Sequence, residues 1–256
     1  MWGYVGILRA LGRDMGFVKL LFTGSIALYI ATLLIDFKNV GMGGFLDMLS
    51  PSGSAIFLFG ASGQIPVFEY GRWWTLLSAG WLHGSVLHIL FNMMIARRFA
   101  PAVAEFYGAG RMVIIYTVSC VTGFFFSSVT SQLLPRIPFA WLLGYVGLGG
   151  AQFTLGASAS IFGLLGALLY YGHRTGSRVV QQQMISYAIM FAIFGILVPR
   201  VDNQAHLGGF VGGYLVARFL DPLLPERGDH LAIAVGCIVA TVLAIIVSVI
   251  TGLQYL

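Results

Sequence analysis

Gly156-Ala157-Ser158-Ala159-Ser160-Ile161-Phe162-Gly163 sets a serine among small residues at the head of an apolar run that continues to Tyr171. Further along, Asn203-Gln204-Ala205-His206-Leu207-Gly208-Gly209 sets a histidine at the head of another. A run of this kind that crosses a bilayer must be helical, because only a helix satisfies its own backbone polar groups in hydrocarbon. A hydroxyl and an imidazole are both costly there, and together they are the least that a nucleophile and its general base require.

The composition around these two stretches is that of a membrane protein. Hydrophobic residues make up 58% of the 256 and charged residues 9%, against about 25% charged in a soluble domain. Runs long enough to cross roughly 30 Å of hydrocarbon lie at Gly16–Ile35, Trp81–Phe99, Met112–Leu133, Thr154–Tyr171, Gln181–Val198, Ala205–Leu220 and Leu231–Leu253. The expected fold class is therefore an all-α membrane protein with seven transmembrane helices. Lys19 falls in the opening turn of the first span, where its ammonium can snorkel to the interface. Phe139–Gly149 is apolar but interrupted by Gly144, Gly147 and Gly149, and reads as a loop at the membrane surface. The stretch after Lys19 closes on no small-residue cleavage site, so it reads as a span rather than a cleavable signal. Cys120 and Cys237 each fall inside a span, as inert packing thiols do. The net charge of +5 comes from residues scattered at span ends; they form no patch, and nucleic acid is not an expected partner.

Lysine and arginine counts set the expected orientation. With the N-terminus in the cytoplasm, Arg9, Arg13, Lys19, Arg97, Arg98, Arg111, Arg174, Arg178 and Arg227 lie inside, and Lys38, Arg72, Arg136 and Arg200 outside. The C-terminus is then external. The long first outer loop, Asp36 to Ala79, carries Phe57, Phe59, Trp73 and Trp74, which suits a segment in the interface.

Under this topology the second, fourth and sixth spans all run inward, and each carries polar residues at its outer end: His83, His88 and Asn92, then Ser158, then His206. Ala159, Gly163 and Ala167 form a small-residue stripe, as do Ala205, Gly209 and Gly213, and such stripes let helix backbones approach closely. Close approach is what a serine–histidine hydrogen bond needs. His88 and Asn92, at i and i+4, share a helix face and both can donate to an oxyanion. Ser158 sits in the first helical turn, where free N–H groups and the dipole favour a developing anion. Each residue has an ordinary reading as well. Ser158 suits helix packing, His83 beside Trp81 suits a solvated interface, and Asn92 suits interhelical bonding. Ser160, turned about 200° around the helix from Ser158, is expected to bond back to the Gly156 carbonyl.

In order along the chain, Gly71-Arg72-Trp73-Trp74-Thr75-Leu76-Leu77-Ser78, Trp81-Leu82-His83-Gly84-Ser85-Val86-Leu87-His88-Ile89-Leu90-Phe91-Asn92, Gly156-Ala157-Ser158 and Ala205-His206-Leu207-Gly208-Gly209 resemble the rhomboid family of intramembrane serine proteases, from about Gly60 to Leu215. The resemblance implies a six-helix bundle over 16–222, preceded by a cytoplasmic segment 1–15 and followed over 223–256 by a linker and one additional C-terminal transmembrane helix. It implies Ser158 as nucleophile and His206 as general base, with His88, Asn92 and the Ser158 N–H as oxyanion hole. His83, Gly156 and Phe162 are supporting residues, Phe162 packing on the histidine. The implied reaction is cleavage of a transmembrane protein substrate near the outer face, in the bilayer of a prokaryotic plasma membrane, without metal or organic cofactor. Two positions depart from the family pattern. Ala159 replaces a glycine, and Thr75 stands where an arginine usually follows the tryptophan, which leaves Arg72 to anchor the loop. Two other readings use the same residues: a non-catalytic rhomboid-like protein that binds transmembrane helices, and a transporter, which would usually place carboxylates within its spans.

Overall fold

The computed structural model describes residues 16–139, 141–145, 148–198 and 200–255; the segment 1–15 lies outside them. Helix α1 (Gly16–Ile35) leads into the first loop. That loop holds an antiparallel hairpin of β1 (Gly41–Gly43) and β2 (Asp47–Ser50), then helix α2 (Gly53–Phe59), a wide turn over Ile65–Glu69 and the short α3 (Thr75–Ser78). There follow α4 (Val86–Tyr107), α5 (Ala109–Leu133), α6 (Trp141–Tyr145), α7 (Ser158–Thr175), α8 (Arg178–Leu197), α9 (Asn203–Phe219) and α10 (Gly228–Gly252).

Each of the seven apolar runs is largely helical, but among the described residues five helices are by themselves long and apolar enough to cross a membrane: Gly16–Ile35, Val86–Tyr107, Ala109–Arg136, Arg178–Leu197 and Gly228–Tyr255. The other two are α7, of 18 residues, and α9, of 17. Their glycine and polar content lowers hydropathy because they face other helices. α9 packs along α7 and α5, and α8 covers the far side of α7. Over the Phe139–Gly149 stretch the described helix is the five-residue α6, about 7.5 Å long and too short to cross.

Two spans start later than their hydropathy suggests. The second begins at Val86, not Trp81, because Ser85 accepts from His88 N at 3.2 Å and caps the helix there. Ala79–Trp81 forms a separate tight turn. The fourth begins at Ser158, not Thr154: Thr154 pairs with Ser62 in an isolated bridge, and Gly156 at φ +121° breaks the chain direction.

The packing is inverted relative to a soluble protein. α10 buries Ala234, Thr241, Ala244, Ser248 and Gly252, while Ile233, Val235, Val239, Val242, Leu243, Ile246 and Ile250 face outward. Lipid solvates the large side chains, and the small ones let backbones meet. α10 is also fastened at both ends. At one end Arg72, only 2% exposed, donates to Phe57 O and Ser248 O at 2.7 Å each. Its guanidinium lies 4.2 Å from the Phe57 ring centre, and Trp74 Nε1 donates to Ser248 Oγ at 3.0 Å. Arg72 thus anchors the loop, but partly to the appended helix, and Phe57 is buried beneath it rather than lying in the interface. At the other end Arg111 donates to Leu220 O, Asp221 O and Leu224 O at 2.8–3.0 Å, beyond the C-terminus of α9. Glu226, just before α10, accepts from Arg111 N at 2.9 Å.

Candidate active site

α5, α7 and α9 meet where their residues are smallest. A Cβ added to Gly123 would lie 2.6 Å from Ala205 O and 2.7 Å from Ala159 Cβ. One added to Gly209 would lie 2.8 Å from the Ala159 carbonyl carbon and closer still to its oxygen. Backbone therefore rests on backbone one residue from Ser158 and three from His206. The methyl group of Ala159 fits into the space left by Gly123, so the departure from glycine is accommodated.

Ser158 is the first residue of α7. The segment leading to it lies along the first loop: Gln64 N donates to Ala151 O, Ile65 N to Gln152 O, and Gly156 N to Ala79 O, at 2.9, 3.2 and 2.9 Å. Side chains cap α4, α8 and α9, where Ser85, Ser177 and Asp202 each accept from a first-turn N–H. Ala157, at the same position of α7, supplies no such acceptor. The first-turn donors of the serine helix are left for an external oxygen, the arrangement that makes helix N-termini anion sites.

His88 and Asn92 converge on this point. A Cβ on Gly156 would lie 2.6 Å from His88 Nε2 and 3.8 Å from Asn92 Nδ2, so glycine both permits the positive φ and leaves room for the two donors. Gly84 N donates to His88 Nδ1 at 3.3 Å. Nδ1 is thus an acceptor, and in a neutral imidazole the proton then resides on Nε2, the atom facing Gly156. Asn92 Nδ2 donates one hydrogen to His88 O at 2.9 Å and keeps its second. His83 packs edge-on against His88, ring centres 5.2 Å apart. At 1% exposure, with neither ring nitrogen hydrogen bonded among the described residues, it is buried and not the solvated interfacial histidine of the ordinary reading.

His206 lies in the first turn of α9, and its ring stacks on Phe162 with centres 4.1 Å apart and planes 13° from parallel. Phe162 in turn meets Phe191 of α8 edge-on at 6.1 Å. In triads a carboxylate on Nδ1 orients the base; here Nδ1 has no partner among the described residues, and the stack holds the ring. No hydrogen bond joins Ser158 Oγ to His206 among the described residues. Catalytic hydrogen bonds of free enzymes are often long and close only with substrate.

Ser160 does not bond to Gly156 O. It is buried beside Tyr116 and Cys120, and its hydroxyl has no hydrogen-bond partner among the described residues. The reason is local: Gly156 is i−4 to Ser160, but it precedes the helix and sits at φ +121°, so its carbonyl is not aligned as in a helical turn. Sequence reasoning also missed Asp202. Its Oδ1 accepts from Ala205 N at 3.0 Å, and an Asp just ahead of an apolar helix is a readable capping signal. Among the described residues no three His, Cys, Asp or Glu side chains group as metal ligands.

The family profile described as Rhomboid domain matches residues 70–222. Rhomboid protease GluP of Bacillus subtilis (strain 168) is 32% identical over 182 residues, covering 70% of this chain and 32% of that protein. RHOMBOID-like protein 5 of Arabidopsis thaliana is 30% identical over 189 residues, covering 71% of this chain and 54% of its own. RHOMBOID-like protein 1 of the same plant is 31% identical over 189 residues, covering 71% and 43%. The matched region thus spans a third to about half of the length of these relatives.

Proposed function

The chain belongs to the rhomboid family, a multi-pass membrane protein family, and we propose that this member is an intramembrane serine endopeptidase acting through Ser158 and His206. The observation that carries the reading is the uncapped start of α7 facing His88 Nε2 and Asn92 Nδ2, beside a histidine stacked on Phe162. In the proposed reaction His206 takes the Ser158 proton as Oγ attacks the scissile carbonyl. The oxyanion that forms receives hydrogen bonds from His88 Nε2, Asn92 Nδ2 and the Ser158 N–H. The histidine returns the proton to the leaving amine, and water resolves the acyl-enzyme. A transmembrane substrate must unwind locally to present its carbonyl, because in a helix that carbonyl is already bonded. Substrates with helix-breaking residues near an outer-facing end are therefore expected, with this chain's N-terminus cytoplasmic and its C-terminus external in a prokaryotic plasma membrane.

The test is cleavage of a reporter transmembrane substrate in proteoliposomes. Wild type should cleave, and Ser158→Ala and His206→Ala should not, while both still insert and fold. His88→Ala and Asn92→Ala should each lose about 10²–10³ in rate, the usual cost of one oxyanion donor. Capture of the uncleaved reporter by wild type, with no turnover, would instead favour the non-catalytic helix-binding reading.

A further inference from the structure

The two halves of the candidate dyad reach the site on different segments, and one carboxylate ties those segments together. Asp202 uses both oxygens. Oδ1 accepts from Ala205 N at 3.0 Å and starts the helix that carries His206. Oδ2 accepts from Ser127 Oγ of α5 at 2.6 Å. That same hydroxyl accepts from Ala151 N at 3.0 Å, and Ala151 lies in the segment that delivers Ser158. The hydroxyl has one hydrogen and two lone pairs, so donating to the carboxylate while accepting from the amide uses it in its natural sense. A second tie joins the same two regions, from Gln204 Nε2 to Leu148 O at 2.7 Å. Ser127 is fully buried, so water offers no ready replacement.

We infer that Asp202 is a positioning residue for the dyad: through Ser127 it registers the start of the His206 helix against the segment leading into Ser158. The inference rests on the reading of Ser158 and His206 as the catalytic pair. It differs from the carboxylate of a triad, because Asp202 acts through backbone and a hydroxyl, and not on the imidazole. Capping and registering are separable chemically. Serine is as good an N-cap as aspartate, but its side chain is too short to reach Ser127 as well.

The experiment compares Asp202→Ser, Asp202→Ala, Ser127→Ala and the Asp202→Ser/Ser127→Ala double variant in proteoliposomes. It reads kcat and KM on the reporter, the rate of fluorophosphonate labelling and the thermal midpoint, with Ser158→Ala and His206→Ala alongside. A shift of about 1 Å between reacting groups costs on the order of 10² in rate. Asp202→Ser should therefore lower kcat and labelling at least about tenfold with KM near wild type, while its thermal midpoint, lowered by the lost buried bond, stays above that of Asp202→Ala, which loses the cap as well. Ser127→Ala should do the same, and the double variant should be no slower than either single one. Wild-type kcat in Asp202→Ser overturns the inference and leaves the dyad intact. So does a rate loss that tracks thermal midpoint across all four variants, which makes the carboxylate merely structural. Turnover persisting in Ser158→Ala overturns the dyad, and the inference with it.

Discussion

Gly209→Ala should separate the dyad by a predictable amount. The added methyl carbon would sit 2.8 Å from the Ala159 carbonyl carbon, where ordinary contact begins at 3.4 Å, and it would press harder still on the carbonyl oxygen. The obstacle is backbone inside a helix, which no rotamer change relieves, so α9 must retreat from α7 by more than about half an ångström to clear the carbon and by about 1 Å or more to clear the oxygen. His206 is three residues away on the same helix and moves with it. Near-attack geometry is lost steeply over such distances, and the expected cost is about 10² in the rate of reporter cleavage or fluorophosphonate labelling. Intrinsic helix propensity acts the other way, favouring alanine over glycine by about 1 kcal/mol, so a fall in thermal midpoint measures the clash directly. Gly236→Ala is the matched control: a Cβ there meets nothing within 4 Å, and the variant should be as active as wild type and equally or more stable. A Gly209→Ala protein that labels at the wild-type rate would show that α7–α9 backbone contact does not set the distance between Ser158 and His206.

Other perturbations have equally definite outcomes. Arg72→Ala removes two charge-assisted hydrogen bonds worth about 1.5–3 kcal/mol each and should lower the thermal midpoint clearly; Arg72→Lys should not restore it, since an ammonium lacks the planar fork that holds Phe57 O and Ser248 O together. Ser160→Ala removes a buried hydroxyl that has no hydrogen-bond partner within 3.5 Å among the described residues, so it should retain activity and stay close to wild-type stability in a melting assay. Cysteines placed at Arg136 and Arg200 should react with an impermeant thiol reagent from outside, and those at Arg98 and Arg174 only after permeabilisation; the reverse pattern would invert the topology.

Hydropathy was enough to place the helices, because lipid demands long apolar runs and little else forms them. It was not enough to start them. Trp81–Ser85 runs into the apolar stretch without a break such as proline, and the Ser85 cap shows where Val86 begins the span. Ser158, His206, His88 and Asn92 stood out because polar groups are rare in such runs, and the glycine stripes explained how they could approach. The partners of Arg72 were illegible, since Ser248 is 176 residues away and a backbone carbonyl leaves no mark in sequence. Asp202 carried a local capping signal, but its second bond depends on Ser127, one of many serines on α5. The hairpin of Gly41–Gly43 and Asp47–Ser50 was hidden for a related reason: its strands are short and largely exposed, so no alternation betrays them.

The most direct test of the account is to locate the fluorophosphonate adduct by mass spectrometry in the intact, membrane-reconstituted protein. The account predicts a single adduct on Ser158, absent in Ser158→Ala, lost or nearly lost in His206→Ala, and unchanged in Ser160→Ala. An adduct on Ser160, or reporter cleavage at the wild-type rate by Ser158→Ala, would contradict it.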